Sequence, residues 1–290
     1  AMITQHAWMF LSSFEKLRTK LLAVDIVNMA HLGARAFEEI GGEVVQTTSF
    51  VIRMSHVAGY KGEYCRLIEP TTQQGKEDMF LAGENRYAAD QGNFSKIPGA
   101  PVAYWVSKQF IHSFTAGKTL TSIAPTRKGM FTGNNDLWLR LWFEINSVKF
   151  EKQFKPYNKG GEFRRWYGNH EYVINWSNDG SDVISFNGSG NINTKLYFKP
   201  CITWSLVTTY KPSFRVILDA EHVMGDAGPI ASAIPSQMLY LLGLLNSKYV
   251  ERVAALIAPT INFSNGVAGC IPVIISDSKK PDIDALVEYN

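Results

Sequence analysis

The segment from Lys155 to Gly180 reads KPYNKGGEFRRWYGNHEYVINWSNDG and concentrates cations, aromatic rings, glycines and amides. Lysine and arginine neutralise DNA phosphates, and arginine or asparagine can bond the exposed edges of guanine or adenine. The glycine pair at 160–161 would let the backbone approach a phosphate closely. These residue types predict contacts with double-stranded DNA, made by Lys155, Lys159, Arg164, Arg165 and Asn169.

A purely structural role for the same segment is the first alternative. In that case the segment is a β-hairpin whose aromatic rings lie in the core and whose cations are simply solvated. We expect the rings to be core residues rather than stacking platforms. Arg164 and Arg165 are consecutive, so in extended backbone they would point to opposite faces and only one would face DNA.

Two other classes of protein are also considered. Trp166, Tyr167 and Trp176 could instead form a flat platform, as in a non-enzymatic carbohydrate- or protein-binding β module. Salt dependence separates the two kinds of binding, because only phosphate contacts make affinity fall steeply with salt. A hydrolase is disfavoured, since the sequence has no Gly-x-Ser-x-Gly elbow.

Composition indicates an ordinary globular chain of 290 residues, 46% hydrophobic and 19% charged. The formal net charge of +3 is too small to imply a polyanionic partner by itself. Residues 151–215, however, carry nine lysines and arginines against five acidic residues, a local net charge of +4. The positive charge is therefore concentrated around the segment that is predicted to bind DNA.

Cysteine and histidine spacing argues against a metal centre. Cys65, Cys201 and Cys270 are far apart and lack CxxC spacing, so we expect buried free thiols in a reducing cytoplasm. The six histidines are never spaced i+3 or i+4, and no metal ligand is predicted. No apolar run reaches about 18 residues, so neither a transmembrane helix nor a membrane partner is expected.

The elements that must position these residues can be read from hydrophobic patterning. We predict strands at MITQHAWMFL, DIVNMAHLG and VVQTTSFVIRM, a helix at SSFEKLRTKLL, and helices over 76–92 and 101–117. After about residue 120 short β-like runs alternate with turns: LWLRLWFEI, HEYVINW, TKLYF, ITWSLVTTY and FRVIL. Ser236 is predicted to cap a long apolar helix or a bent pair that Pro259 ends, before a final strand GCIPVII.

Several of these segments resemble the TaqI-like adenine-specific DNA methyltransferases, especially those of BREX phage-defence systems. The resemblance rests on MITQHAWMFLSSFEKLR, HLGARAFEEIGGEVVQTTSFV, IPGAPVAYWVS, KGMFTGNNDLWLRLWFEI, KPYNKGGEFRRWYGNHEYVINWSNDG, ITWS and LLNSKYVERVAALIAPTINF. It implies an adenine-N6 methyltransferase of a restriction-modification or BREX-like system. It also implies that the part after the KGMFTGNN hairpin is the target recognition domain, which reads the DNA sequence.

The resulting fold class is α+β: a partial α/β methyltransferase sheet remnant, a helical connector, and a β-rich target recognition domain with C-terminal helices. The predicted boundaries are 1–57, 58–120 and 121–275, followed by a tail at 276–290. Lys128, Thr132, Asn134 and Asn135 are ordinary turn residues by type. The resemblance places their hairpin near the join between domains, so it adds them to the candidate DNA contacts.

The departures from the family are equally informative. The family's Asn-Pro-Pro-Tyr type motif is absent, and the only Gly-x-Gly, Gly188-Ser189-Gly190, lies in a polar loop with no helix after it. We therefore expect no catalytic residue and no cofactor in this chain; S-adenosylmethionine is implied for the full-length enzyme only. The chain is expected to be a C-terminal part that cannot methylate alone. It would expose a sheet edge and an apolar face to the missing N-terminal catalytic part, or self-associate through them.

Overall fold

The computed structural model describes residues 1–40, 45–209 and 211–289. Val44 and Tyr210, at the ends of two predicted strands, and Asn290 of the predicted tail lie outside the described residues. The chain divides into two compact units, Ala1–Ala116 and Gly117–Asn290. The domain boundaries proposed above remain predictions.

The first unit is built on one sheet. Its elements are β1 (Met2–Gln5), α1 (Glu15–Leu21), β2 (Asp25–Gly33), β3 (Thr47–Arg53), β4 (Lys61–Arg66), α2 (Gln73–Leu81), β5 (Arg86–Asp90) and α3 (Lys108–Ala116). Within the described residues the strand order is β1-β3-β2-β4-β5, and β2 and β4 are parallel. The apolar core of this unit contains Trp8, Met9, Ile26, Met29, Phe50, Tyr64, Phe94, Val102 and Tyr104.

A buried arginine fixes the chain around this core. Arg18 of α1 is 1% exposed, and its guanidinium donates to the carbonyl oxygens of Trp8 (2.8 Å), Leu11 (2.7 Å) and Gly99 (2.6 Å). Burying a guanidinium without such acceptors would be costly. The arginine therefore ties α1 to the segment 8–11 and to the loop at Gly99.

The predicted helix over 76–92 is only partly present. α2 ends at Leu81, because Gly83 (φ +74°) and Asn85 (φ +50°) adopt left-handed conformations that a helix cannot contain. The chain then enters β5, which pairs antiparallel with β4. The span predicted as a helical connector thus supplies two strands to the first sheet, while the α+β class is confirmed.

The second unit contains several small sheets. Its strands are β6 (Lys118–Thr119), β7 (Thr126–Arg127), β8 (Leu139–Leu141), β9 (Phe154–Asn158), β10 (Tyr172–Asn175), β11 (Cys201–Trp204), β12 (Phe214–Ile217), β13 (Val223–Met224), β14 (Ile230–Ala231) and β15 (Pro272–Val273). Its helices are α4 (Leu120–Ile123), α5 (Asn135–Trp138), α6 (Ser147–Gln153), α7 (Ser181–Ser185), α8 (Pro235–Leu245), α9 (Lys248–Ile257), α10 (Asn265–Gly269) and α11 (Lys280–Tyr289). Among the described residues the strand orders are β13-β9-β10-β8, β12-β11-β14-β7 and β15-β6.

Two predicted strands differ from the structure in this unit. LWLRLWFEI is extended only over β8, because Glu144 Oε2 accepts from the backbone N–H of Leu141 (2.8 Å) and closes a 3-10 turn. TKLYF is not a strand but a 3-10 turn over Thr194–Leu196, entered through Asn193 at φ +56°. Short apolar runs do not distinguish these conformations by periodicity alone.

The predicted long helix is the bent pair α8 and α9. The break lies at Asn246, whose side chain accepts from Phe214 N (3.0 Å) and donates to Phe214 O (2.9 Å) on β12. Ser247 then caps α9 by accepting from Val250 N, whereas Ser236 makes no cap. Residues 276–290, predicted as a polar tail, contain α11, which packs on α8 with Val287 buried.

The cysteines are free thiols, as expected, with Cys65 and Cys201 buried and Cys270 only half-buried. Across the described part of the chain, no helix combines the length and apolar character that crossing a bilayer requires.

Candidate nucleic-acid interface

The predicted DNA-binding segment forms a hairpin between two strands of the second unit. β9 and β10 pair antiparallel, with Lys155 opposite Ile174, and residues 159–171 form the connecting loop. Gly160 and Gly161 have φ values of +82° and +126°. A Cβ on Gly160 would lie 2.6 Å from the carbonyl oxygen of Ala227, so this glycine is needed for packing within the protein.

Backbone hydrogen bonds hold this loop firmly against the second sheet. Trp166 N donates to Phe214 O (2.9 Å), and Val216 N donates to Trp166 O (2.8 Å), both on β12. Ser205 Oγ, just after β11, donates to Gly161 O (2.7 Å). The loop is therefore a braced extension of the β-structure, and its side chains are held in defined positions.

A buried arginine that the sequence reading missed lies beneath the loop. Arg215 on β12 is 0% exposed and donates to Arg164 O (3.3 Å) and to Ser205 Oγ (3.3 Å). Burial lowers its pKa to about 10, so the guanidinium remains charged at neutral pH. Its Nε has no hydrogen-bond partner among the described residues. The Arg215 guanidinium thus supports the loop through its hydrogen bonds and adds positive potential beneath it.

The two consecutive arginines have different surroundings. Arg164 is half exposed (52% of its side chain) and lies over Gly168, with Glu171 Oε1 3.4 Å from its Nη1. Arg165 is ion-paired with Glu251 on α9. Glu251 also binds Lys211 Nζ at 2.8 Å. Arg164 is therefore presented to solvent, whereas Arg165 ties the loop to α9.

Lys159, Lys155 and Asn169 also differ in their surroundings. Lys159 places its Nζ 3.9 Å from the centre of the Tyr172 ring, a cation–π contact that orients the side chain. Lys155 lies half-buried in β9. Asn169 is buried (5% exposed) at φ +65°, and its Nδ2 donates to Glu162 O (2.9 Å). Since that amide already serves the turn, a base contact by Asn169 does not follow from the structure.

The second predicted group adjoins the same sheet. Met130 N donates to Met224 O of β13 (2.8 Å), and Lys128 nearby is exposed. Thr132 is buried and donates to Asn135 Oδ1 (2.7 Å). The exposed Asn134 caps α5 by accepting from Leu137 N (3.1 Å). In this group the structure explains three polar residues by one helix cap and one side-chain hydrogen bond, and leaves Lys128 as the surface cation.

The aromatic residues are mostly structural, as expected. Tyr157 is 2% exposed, and Trp176 packs edge-on against Tyr197 and Phe198 next to the apolar core. Trp166 is half-buried, and Tyr167 is the exception at 68% exposed. With Trp176 held in this way, the three rings proposed for a flat sugar-binding platform do not share one open surface.

A pair of hydrogen-bonded histidines supports the C-terminal end of the loop. His170 Nδ1 and His222 Nε2 are 3.0 Å apart, and His222 Nδ1 is 2.7 Å from Asp219 Oδ1. Burial, together with the neighbouring His222, lowers the pKa of His170. Because His170 and His222 are 52 positions apart in the chain, no local spacing could have revealed the pair.

The residues of the Gly-x-Gly turn do not fit a nucleotide-type cofactor. Gly190 exchanges backbone hydrogen bonds with Phe131, and a Cβ on Gly190 would lie 2.0 Å from that ring. The turn is therefore filled by protein, and we derive no step through S-adenosylmethionine. Among the described residues, no group of three or more histidine, cysteine or acidic side chains could hold a metal ion.

Comparison with known proteins identifies relatives over nearly the whole chain. No family model matches it. It is 39% identical over 319 aligned residues to the adenine-specific methyltransferase PglX of Lacticaseibacillus casei (strain Zhang), covering 99% of this chain and 26% of that protein. It is 38% identical to the adenine-specific methyltransferase BrxX of Escherichia coli O9:H4 (strain HS), covering 94% of this chain and 23% of that protein.

Solved structures agree on the fold. The type IIL restriction-modification enzyme MmeI, in complex with DNA, matches 99% of this chain with a TM-score of 0.56 at 12% identity, over 40% of its own length. The ATP-dependent type ISP restriction-modification enzyme LlaBIII, bound to DNA, matches 99% of this chain with a TM-score of 0.51 at 10% identity, over 24% of its own length. The chain spans about a quarter of the length of its curated relatives. It corresponds to one part of the proteins in the adenine-specific methyltransferase family to which PglX and BrxX belong.

Proposed function

We propose that this chain binds double-stranded DNA in a sequence-directed manner, as part of an adenine-N6 methyltransferase of a restriction-modification or BREX-like phage-defence system. The names of its relatives support the enzyme class. In the whole enzyme, S-adenosylmethionine would supply the methyl group, and the remaining catalytic part would bind this cofactor and the target adenine.

The braced loop 159–171 is the observation that carries the proposal. Arg164 is held at the surface by its backbone contact with the buried Arg215 and by its packing on Gly168. Lys159 is oriented by the Tyr172 ring. Side chains held in place before binding lose less entropy when they contact DNA. Such a loop suits recognition better than a mobile basic tail would.

The nine predicted contacts divide into two roles under this proposal. Lys128, Lys155, Lys159 and Arg164 contact DNA. The other five hold the loops in shape: Arg165 through Glu251, Asn169 through its own turn, Asn134 through the cap of α5, and Thr132 with Asn135 through their mutual hydrogen bond. Phosphate contacts from the first group set affinity and register, and Arg164 can in addition bond a guanine edge.

Binding to a pool of labelled random-sequence duplexes across a salt series tests the proposal. Wild type is compared with Lys159→Ala/Arg164→Ala and with a charge-matched control, Lys16→Ala/Lys20→Ala, on the exposed face of α1. We expect binding that weakens steeply with salt, a shallower slope for the loop variant, and an unchanged slope for the control. Sequencing the retained duplexes should show an enriched site.

Two results would overturn the proposal. One is the absence of any retained duplex at the lowest salt concentration. The other is equal behaviour of the loop variant and the α1 control, because binding would then reflect general positive charge. Weak salt dependence combined with binding of a soluble glycan would favour the sugar-binding alternative instead.

A further inference from the structure

An exposed aromatic pair lies beside the loop that we propose to bind DNA. Trp142 and Phe143 occupy a 3-10 turn, Trp142–Glu144, directly after the edge strand β8. They are 56% and 63% exposed. Their ring centres are 5.8 Å apart and their planes meet at 85°. Rings of this size are normally buried, so their shared exposure calls for a physical reason.

The turn is held in a defined shape rather than frayed. Glu144 Oε2 accepts from the N–H of Leu141 (2.8 Å), and Ile145 N donates to Trp142 O (3.3 Å). The N–H of Trp142 donates to the carbonyl oxygen of Glu171 (2.9 Å), next to β10. These three bonds close the turn with both rings directed away from the core.

The same contact connects the pair to the proposed DNA-binding arginine. Glu171 holds Trp142 through its backbone oxygen and lies 3.4 Å from Arg164 Nη1 through its side chain. The aromatic pair and the guanidinium are therefore both bound to one residue. A duplex bound at Arg164 would therefore contact the residue that also anchors the aromatic turn.

The charges around the pair favour nucleic acid over protein. Lys149 and Lys152 are exposed on α6, which begins three residues after Glu144, and Val148, just before Lys149, is 61% exposed. Lysine is depleted in protein–protein interfaces, whereas lysine and arginine around exposed rings are typical of surfaces that stack bases and neutralise phosphates. The rim thus offers two lysines to a polyanion, while the carboxylates of Glu144 and Glu171 beside the rings are occupied by the N–H of Leu141 and by Arg164.

We propose that Phe143 inserts as a wedge against a base step of the bound duplex, with Trp142 supporting it edge-on. Two rings at 85° cannot both lie parallel to the bases, and Phe143 is the more exposed. Apolar wedges of this kind unstack a base step and bend the duplex. The inference rests on the proposed function, since it assumes that Arg164 contacts DNA.

Duplexes taken from the enriched pool, with 2-aminopurine at successive positions, test the wedge. With wild type, 2-aminopurine fluorescence should rise at one step, because unstacking removes its quenching. Phe143→Ala should abolish that rise and weaken binding about tenfold, a typical effect of losing one stacked ring. Its salt slope should be unchanged, since no charge is removed. Leu81→Ala, at a side chain 74% exposed in the first unit, is the matched apolar control.

Phe143→Trp keeps the test valid if the alanine variant folds poorly, because a flat ring there should retain the fluorescence rise. A uniform 2-aminopurine signal with wild type, or equal affinities for Phe143→Ala and wild type, would refute the wedge. If the Lys159→Ala/Arg164→Ala variant still lost affinity in that case, DNA binding by the loop would stand and only the wedge would fall. If wild type held no DNA, both proposals would fail together.

Discussion

Replacing Arg164 and Arg165 one at a time should produce two different defects, although the residues are adjacent. Arg164 is half exposed, and its ion pair with Glu171 is also half exposed, whereas Arg165 forms a more buried pair with Glu251 on α9. Arg164→Ala should therefore weaken DNA binding with little change in stability. Arg165→Ala should destabilise the loop and leave the salt dependence of binding nearly unchanged.

The sizes of both effects follow from the structure. One lost phosphate contact reduces the slope of log affinity against log salt by about 0.9. When salt rises from 50 to 200 mM, the factor by which affinity falls should therefore be about 3.5 times smaller for Arg164→Ala than for wild type. The Arg165–Glu251 pair is partly exposed, 31% and 19% for the two side chains, and Lys211 remains on Glu251. Its loss should cost about 1 kcal/mol, which lowers Tm by roughly 2–4 °C.

Fluorescence anisotropy at four salt concentrations and calorimetric melting of both variants measure these quantities. Arg165→Lys is a useful control, because it keeps a charge for Glu251 and should recover part of the stability. This division of roles between the two arginines is refuted if Arg165→Ala flattens the salt slope as much as Arg164→Ala does. It is equally refuted if Arg164→Ala leaves the slope at the wild-type value.

Three further outcomes are expected. Asn246→Ala leaves the buried N–H of Phe214 without a partner and removes one of the two donors to its carbonyl oxygen, which keeps Trp166 N. It should cost about 1–3 kcal/mol in urea unfolding, against less than about 0.5 kcal/mol for the exposed Asn187→Ala; equal midpoints would contradict this. Burial, with nearby positive charge, lowers the pKa of His31 to about 3. As the pH falls, the unfolded state therefore binds the proton first, and the free energy of unfolding should decrease below about pH 6.5, by about 2 kcal/mol at pH 5. The free energy of unfolding of His31→Gln should decrease less over the same range. Identical pH profiles for wild type and His31→Gln would argue against the burial effect. Finally, β1 is an edge strand of the first sheet, and its Ile3 is 53% exposed. We therefore expect sedimentation to show self-association at micromolar concentration, which Ile3→Lys should reduce. A wild-type protein that sediments as a monomer would refute this.

Local pattern alone predicted the parts of this protein whose conformation depends on near neighbours. β2 matches the predicted run Asp25–Gly33 at both ends, because β-branched and apolar residues bounded by a glycine favour a strand wherever the chain goes next. The concentration of cations and rings between Lys155 and Gly180 was likewise visible from residue type, and a β-hairpin was the structural alternative for that segment. The resemblance to adenine-specific methyltransferases, carried by several long motifs, is confirmed by relatives that cover nearly all of the chain.

The roles within the hairpin were decided only by tertiary structure. Arg164 and Arg165 are indistinguishable in sequence, and what separates them is Glu251, which lies 86 positions from Arg165 in the chain. Asn169 was predicted to contact DNA, but its amide lies inside a turn, and Arg215 was not singled out from the sequence although β12 buries it under the loop. Such assignments depend on which partners long-range packing brings within hydrogen-bond distance. Residue type and spacing determine what a side chain can do, and the packing of distant segments determines what it does.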